Sequence, residues 1–212
     1  MVQQSNDPGC RLRSELNLAG FLARSTVNGP GIRSVVWVQG CPLHCRDCFN
    51  TASWSFSPNR KVSPVDLADC ILEINGIDGV TFSGGEPFAQ ASLLALVGKQ
   101  LQAEGLTVVT YTGFSASHIF REQRPSWNAL LAVTDLLIAG PYIGGLPSIS
   151  PLAGSGNQQV ISLTDAIQAR VGTSPAPAVM VEYTISSDGS LTTTGFPDPR
   201  SMQQLTARCW GD

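Results

Sequence analysis

Residues 33–50 read RSVVWVQGCPLHCRDCFN, a strand-forming run that leads directly into three cysteines. The first seven residues are rich in β-branched and aromatic side chains, which favour a strand of ordinary length. Gly40 ends this run, and Cys41, Cys45 and Cys48 follow it within one loop. The first cysteine is therefore predicted to follow the C-terminal end of a strand.

Downstream of this loop, the apolar pattern alternates between helical and strand spacing. A helix is predicted to begin at Ser63-Pro64, a typical N-terminal capping sequence, and a second helix over residues 91–101 is predicted to end by Gly105. The predicted strands are residues 79–82, 106–111 and 135–139, with a weaker helical segment between the last two. Such alternation indicates parallel βαβ units, whose reactive loops lie at the C-terminal ends of the strands.

After residue 150 the pattern is weaker. Residues 157–163 are a further strand candidate, and residues 178–186 and 190–195 are predicted to form a β-hairpin with its turn at residues 187–189. No internal repeat or obvious linker divides the chain, so we predict a single domain. The loops expected to gather at one face of the sheet are residues 41–48, 83–87, 112–114 and 140–142.

The 212-residue chain is 42% hydrophobic, which is enough to form an ordinary globular core. Its 13 basic and 16 acidic residues give a net charge of -3, and the basic residues form no stripe, which argues against nucleic-acid binding. The first ten residues do not resemble a secretion signal, and no apolar run reaches membrane-spanning length. We therefore expect a cytoplasmic protein without membrane contact, whose thiols stay free or bind metal.

Thiolates are the usual ligands of zinc and of iron-sulfur clusters, and one loop here supplies three of them. A structural zinc site needs a fourth ligand, for which the candidates are His44, Cys10 and Cys209. In a cubane 4Fe-4S cluster, the three cysteines would hold three irons and leave the fourth open to bind another group. The loop alone leaves both metals open and favours the iron-sulfur cluster.

Cys70 and Arg33 have reactive or charged side chains, but we do not expect either residue to belong to a functional site. Cys70 follows helical spacing with Leu67 and Ile71, so it is expected in the hydrophobic core. Arg33 opens a predicted strand, a position at which an arginine is expected to be a solvated charge.

A second motif, Ser83-Gly84-Gly85-Glu86-Pro87, follows the next predicted strand. Its glycines and its proline suit a simple turn between a strand and a helix. That interpretation explains neither the carboxylate of the motif nor its position one βα unit after the cysteine loop. The motif is therefore a second candidate for the functional site.

The spacing C-x-x-x-C-x-x-C after one strand, followed by a GGE turn after the next, resembles the signature of the radical S-adenosylmethionine enzymes. The ligands that this resemblance implies for one 4Fe-4S cluster are Cys41, Cys45 and Cys48. The contacts that it implies for the methionine end of S-adenosylmethionine are Gly84, Gly85 and Glu86. Asp47 and Phe49, which flank the third cysteine, are carried over as further cofactor-binding residues, and Phe49 is expected to pack near the adenine.

Residues 27–50, VNGPGIRSVVWVQGCPLHCRDCFN, resemble more narrowly the glycyl-radical-enzyme activases, particularly the anaerobic ribonucleotide reductase activating enzymes. The later segments that match that branch in the expected order are residues 111–114, 140–142, 154–158 and 194–197. The resemblance implies a radical S-adenosylmethionine domain at residues 18–197, an N-terminal extension at 1–17 and a C-terminal tail at 198–212.

The resemblance also implies a fold and an activity. The fold is α/β, a partial (β/α) barrel with about six parallel strands and a C-terminal β-hairpin. The activity is reductive cleavage of S-adenosylmethionine at the cluster and abstraction of a hydrogen atom from a glycine of a partner glycyl radical enzyme. A low-potential electron donor such as flavodoxin or ferredoxin would reduce the cluster. Because hydrogen-atom transfer needs no acid–base group, no catalytic side chain is assigned.

Two positions depart from the activase pattern, and the loss of a carboxylate at residue 139, near the predicted site, bears on the substrate. Asn28 stands where an acidic residue is common, and Ala139 replaces an aspartate that commonly precedes Gly-Pro. Two alternatives stay open, and Ala139 supports the first of them. One is a radical S-adenosylmethionine enzyme that acts on a small molecule or a peptide, and the other is a non-catalytic zinc or iron-sulfur binding module.

Overall fold

The computed structural model describes residues 14–171, 181–185 and 191–196. The strands in these residues are β1 (Leu16–Ser25), β2 (Arg33–Val38), β3 (Arg60–Val62), β4 (Gly79–Gly84), β5 (Thr107–Thr112), β6 (Leu136–Ala139), β7 (Gln159–Ser162), β8 (Val181–Ile185) and β9 (Leu191–Gly195). The helices are α1 (Pro64–Leu72), α2 (Ala91–Ala103), α3 (Ala116–Glu122), α4 (Pro125–Ala132) and α5 (Ala166–Val171), with 3-10 turns at Thr51–Ser53 and Pro87–Gln90. Within the described ranges, no helix combines the length and the apolar character that crossing a membrane requires.

Seven strands form one mixed sheet in the order β3-β1-β2-β4-β5-β6-β7. Its centre is parallel, because β2, β4, β5 and β6 run in the same direction, whereas β1, β3 and β7 pair antiparallel. The α/β sheet is thus confirmed, but the described residues contain four parallel strands rather than about six. A parallel pair needs a crossover connection, and neither the segment after β1 nor the one after β6 contains a helix. The partial barrel stays a prediction.

The structure confirms the elements that were predicted around the cysteine loop. The Ser63 hydroxyl caps α1 by accepting a hydrogen bond from Asp66 N at 3.1 Å. The four parallel strands begin and end within one or two residues of their predicted positions. The hairpin strands β8 and β9 pair antiparallel in a sheet of their own. The predicted hairpin turn at residues 187–189 lies outside the described residues.

The main hydrophobic core lies between one face of the sheet and the helices α1, α2 and α4. Its buried side chains include Val36, Leu67, Ile71, Val80, Phe82, Leu94, Leu101 and Leu130. Burial of each such side chain contributes about 1.5–3 kcal/mol. This core holds the parallel strands in register, and so it fixes the strand ends from which the site loops emerge.

The expectation that Cys70 belongs to the core is wrong, because the cysteine is exposed. The buried face of α1 is formed by Leu67, Ala68 and Ile71. The apolar face of the helix is thus centred towards Ala68, and Cys70 lies beside that face rather than within it.

The expectation that Arg33 is a solvated charge is also wrong, because its side chain is fully buried. Its guanidinium donates hydrogen bonds to Pro30 O at 2.8 Å, to Val80 O at 3.2 Å and to Thr107 O at 2.7 Å. Burial lowers the pKa of Arg33 to about 10, so the group remains charged at neutral pH. Arg33 therefore ties together the N-terminal ends of β2, β4 and β5.

Candidate functional site

The C-terminal ends of β2, β4, β5 and β6 open into a cavity of about 750 Å³. All four loops that were expected to gather there contribute to its wall, and residues 193–196 of the hairpin segment line another side. The predicted site residues in the wall are Cys41, Cys45, Cys48, Phe49, Gly84, Gly85 and Glu86. Asp47 is the predicted site residue that the structure does not place there.

The cysteine loop is closed by backbone hydrogen bonds between its two ends. Gly40 N donates to Ser53 O at 2.8 Å, and Cys41 N donates to Trp54 O at 3.0 Å. These bonds fold the chain back on itself between residues 40 and 54. As a result, all three cysteines reach the wall of the same cavity.

The three thiols differ in their exposure. Cys41 is buried, and burial raises the pKa of its thiol, whereas Cys45 and Cys48 are half-buried. Cys48 Sγ accepts a hydrogen bond from Asn50 N at 3.4 Å. A metal that binds Cys41 must displace its proton, because the thiolate is the ligand.

A network of carboxamide side chains holds the cysteine loop against β1. Gln39 Nε2 donates to Ser55 O at 2.7 Å and to Ala52 O at 3.2 Å. Gln90 Nε2 donates to Gln39 O at 3.0 Å and to Asn17 O at 2.8 Å. Gln39 and Asn17 are buried, so these bonds are shielded from water. Sequence reasoning missed this network, although the glutamine directly before the cysteine loop was a signal for it.

The turn after β4 lies directly against the cysteine loop. Gly85 N donates to Val38 O at 2.7 Å, and Glu86 N donates to Gly40 O at 2.9 Å. Gly84 has a φ of 103°, in the left-handed region that favours glycine. A Cβ atom on Gly85 would lie 2.3 Å from Gly40 O. The absence of a side chain at Gly85 is therefore what lets the two loops approach so closely.

The Glu86 side chain is fully buried, and it accepts hydrogen bonds from three protein groups. Oε1 accepts from Phe88 N and from Thr112 Oγ1, each at 2.9 Å. Oε2 accepts from Gly113 N at 2.9 Å. The carboxylate thus joins the turn after β4 to the C-terminal end of β5, and it shapes the cavity wall between them.

The buried carboxyl group of Glu86 makes the stability of the chain depend on pH. Burial raises the pKa of Glu86 from 4.5 to about 7, although its three hydrogen bonds offset part of that effect. In the unfolded chain the group has its ordinary pKa of 4.5. Because the folded chain holds the proton of Glu86 more tightly than the unfolded chain, this group adds to the free energy of unfolding. That contribution is complete below about pH 4.5, and it is lost as the pH rises through about 7.

The side chain of the Glu86→Gln variant cannot ionise. This variant is therefore the reference that isolates the contribution of Glu86 to the pH dependence of stability. Between about pH 4.5 and about pH 8, the wild-type chain should lose roughly 3 kcal/mol of unfolding free energy relative to Glu86→Gln. Urea unfolding of both proteins in their cluster-free form measures this difference. A difference that stays constant with pH would contradict the raised pKa.

The two residues that flank the third cysteine lie in different surroundings. Phe49 lines the cavity, and its ring lies edge-on to Tyr142 at 5.3 Å and to Phe196 at 6.2 Å between ring centres. Asp47 Oδ2 instead accepts a hydrogen bond from Gly144 N at 3.2 Å. Asp47 thus ties the cysteine loop to the loop after β6, and its role in cofactor binding stays a prediction.

The two positions that depart from the activase pattern also differ in their surroundings. Asn28 lines the cavity, and its Nδ2 donates to Ser25 Oγ and to Thr194 Oγ1, each at 2.8 Å. Asn28 therefore links β1 to the hairpin. Ala139 is 1% exposed and packs in the main core, whereas the next residue, Gly140, lines the cavity.

Comparison with known protein families decides what kind of domain surrounds this cavity. The family described as "4Fe-4S single cluster domain" matches residues 27–161, a range that holds the cysteine loop, the glycine turn and all four parallel strands. The chain belongs to the 4Fe-4S single cluster domain family. Its membership confirms the prediction of an iron-sulfur protein.

This 4Fe-4S single cluster domain is similar in sequence to curated proteins named pyruvate formate-lyase-activating enzyme. The one from Staphylococcus epidermidis (strain ATCC 12228 / FDA PCI 1200) is 40% identical over 88 residues, which are 38% of this chain and 35% of the relative. The one from Staphylococcus aureus (strain USA300) is 32% identical over 120 residues, which are 53% of this chain and 47% of the relative. The matches thus span less than half the length of these relatives, and they confirm the resemblance to the activases.

Among solved structures, the chain matches QueE from Escherichia coli. It is 17% identical in sequence, with a TM-score of 0.39, and the match covers 48% of this chain and 54% of that chain.

The residues in the cavity wall fit the cluster that the name of the 4Fe-4S single cluster domain family implies. Three free thiols on one wall are the donors that iron-sulfur clusters use. In the described part of the chain, no three His, Cys, Asp or Glu side chains converge closely enough to hold one metal ion. A cubane cluster does not need such convergence, because it bonds each thiolate to a different iron.

Of the three residues considered as a fourth zinc ligand, the structure describes only His44. The His44 ring stacks on Trp54, with 4.7 Å between the ring centres and 23° between the planes. Cys10 and Cys209 lie outside the described residues. The donor set that the structure brings together is therefore the three thiols of the cysteine loop.

Proposed function

We propose that the chain is a radical S-adenosylmethionine enzyme that activates a glycyl radical enzyme by removing a hydrogen atom from one of its glycines. The observation that carries this proposal is that the cysteine loop and the glycine turn form adjoining walls of one cavity. Two backbone hydrogen bonds connect these walls. Gly85 N donates to Val38 O, and Glu86 N donates to Gly40 O. A cluster and its sulfonium partner would thereby be held side by side.

In this proposal, Cys41, Cys45 and Cys48 would hold the cluster, and S-adenosylmethionine would bind beside it against the glycine turn. When bound, the reduced cluster supplies the electron that cleaves a carbon–sulfur bond of S-adenosylmethionine. The main chain of Gly84 and Gly85, which lines the cavity, would receive the methionine end. Glu86 holds that turn in place through its hydrogen bonds to Thr112 and Gly113.

The remaining walls enclose the substrate and exclude water. Phe49 packs edge-on to Tyr142 and to Phe196, and it is 59% exposed, which offers an apolar surface for the adenine. Hydrogen-atom transfer requires near-contact geometry and protection of a reactive species rather than a proton donor. The contribution of this chain is therefore enclosure and orientation, without an acid–base side chain.

The curated relatives named pyruvate formate-lyase-activating enzyme support a glycyl radical enzyme as the partner. Ala139 offers no support for a small-molecule substrate, because this residue packs in the main core rather than in the cavity wall. We further propose that a low-potential flavodoxin or ferredoxin reduces the cluster. The free thiols support a working location in the cytoplasm, where thiols stay reduced.

The test is anaerobic reconstitution with iron and sulfide, followed by incubation with S-adenosylmethionine, a reductant and a glycyl radical enzyme. Anaerobic ribonucleotide reductase and pyruvate formate-lyase are tried in turn. We expect about four irons per chain, formation of 5'-deoxyadenosine and a glycyl radical in one partner by electron paramagnetic resonance. Reactions without reductant or without S-adenosylmethionine are the controls.

Two outcomes would reject the activase proposal in different ways. Formation of 5'-deoxyadenosine without a glycyl radical in either partner would indicate a small-molecule or peptide substrate. A chain that holds zinc, or a cluster that never cleaves S-adenosylmethionine, would indicate a non-catalytic binding module.

A further inference from the structure

The indole N–H of Trp54 is a buried donor without an acceptor. Among the described residues, the buried side-chain atoms that lack a hydrogen-bond partner are Arg33 Nε, Trp54 Nε1 and Asn157 Oδ1. A buried polar group left unsatisfied costs about 1–3 kcal/mol. Trp127 shows the usual arrangement, because its Nε1 donates to Phe88 O at 3.1 Å. The unsatisfied state of Trp54 therefore needs an explanation.

Trp54 is held firmly beside the cysteine loop. Its backbone O accepts a hydrogen bond from Cys41 N at 3.0 Å, and its ring stacks on His44. Trp54 also lines the cavity together with the three cysteines. The stack on His44 restricts rotation of the indole towards another acceptor. The N–H is thus preorganised for a group that enters the cavity.

We propose that Trp54 Nε1–H donates a hydrogen bond to a sulfur of the bound cluster and thereby raises its reduction potential. The acceptor is a thiolate or an inorganic sulfide, because both carry negative charge and both lie at this wall once the cluster is bound. Hydrogen bonds to the sulfurs are among the factors that set the potential of such clusters. This inference rests on the part of the proposed function in which the three cysteines hold the cluster. Trp54 is then a positioning residue that acts through the cluster.

The direction of the effect follows from charge. Reduction adds one negative charge to the cluster, and a more negative sulfur accepts a stronger hydrogen bond. Trp54→Phe keeps an aromatic ring that can stack on His44 but removes the donor. At a fixed potential, we expect the ratio of reduced to oxidised cluster to fall about tenfold, which for one electron corresponds to about 59 mV.

The experiment is a redox titration of the anaerobically reconstituted full chain, with the reduced cluster quantified by electron paramagnetic resonance. We expect Trp54→Phe to have the lower midpoint potential at an unchanged iron content. Trp127→Phe is the matched control, because it removes an indole N–H that already donates to Phe88 O. Its midpoint potential should equal that of the wild type. An unchanged potential in Trp54→Phe would overturn the inference.

A second measurement detects the indole itself. In chain labelled with nitrogen-15 tryptophan, pulsed electron paramagnetic resonance of the reduced cluster should detect a coupling to an indole nitrogen that is lost in Trp54→Phe, because Trp37 also lines the cavity. If a reduced four-iron cluster shows no such coupling, the inference fails and the proposed function stands. If the wild-type chain holds no four-iron cluster, both fail together, so the two failures are distinguishable.

Discussion

Replacement of any one of the three cavity cysteines with alanine is expected to abolish cluster binding. Each thiolate bonds a different iron, so Cys45→Ala leaves one iron without its protein ligand. Loss of a residue that merely supports a metal ligand costs about 10–100-fold in affinity or activity, and loss of the ligand itself should exceed that range. We expect iron to fall from about four to well below one per chain, and 5'-deoxyadenosine formation to fall more than about 100-fold. Iron analysis and the cleavage assay measure these two quantities.

Cys70→Ala is the matched control for this series, because Cys70 is an exposed thiol on α1 that does not line the cavity. It should keep the iron content and the cleavage rate of the wild type. Circular dichroism separates loss of the cluster from loss of the fold. A folded Cys45→Ala chain that retains the full iron content would contradict the assignment of the ligands.

The elements around the site could be predicted because their signals are short-range. The β-branched run of β2 and the Ser63-Pro64 cap of α1 each depend on residues that are neighbours in the chain. The order of these elements along the chain then predicts which loops meet in space. Parallel strands end at the same edge of a sheet, so the loops after β2 and β4 had to meet. That rule predicts from the sequence that the cysteine loop and the glycine turn lie side by side.

Other features depend on partners that lie far away in the sequence, and no local pattern reveals them. The carbonyls of Val80 and Thr107 that accept from Arg33 lie 47 and 74 residues away in the chain. Asn17 and Gln90 are hydrogen-bonded across 73 residues. β1 was not predicted, because its residues show no clear alternation of apolar and polar side chains. The strand is defined by its pairing with β2 and β3. The hydrogen bond between Asp47 and Gly144 likewise depends on the course of the loop after β6.

Gly85→Ala is expected to separate the two loops that form the site. The added methyl group would lie 2.3 Å from Gly40 O and 2.9 Å from Ser53 O, which are backbone atoms on either side of the cysteine loop. Backbone atoms cannot turn aside as the end of a side chain can, so one loop must move. Overpacking of this kind costs about 1–3 kcal/mol, and we expect a loss of unfolding free energy near the upper limit of that range. Urea unfolding measures this loss.

Displacement of the loops in Gly85→Ala should also slow the reaction, and this effect can be measured separately from the loss of stability. A misplacement of about 1 Å can cost about 100-fold in rate, so Gly85→Ala that still binds iron should form 5'-deoxyadenosine about 100-fold more slowly per cluster. Gly145→Ala is the control, because Gly145 has a φ of 75° and no atom lies within 4 Å of an added Cβ. That variant adds about 1–2 kcal/mol of backbone strain without a collision, and it should keep the wild-type rate per cluster. If the two variants gave equal rates, the close approach of the loops would be irrelevant to cleavage, and the adjoining walls would no longer support an activase.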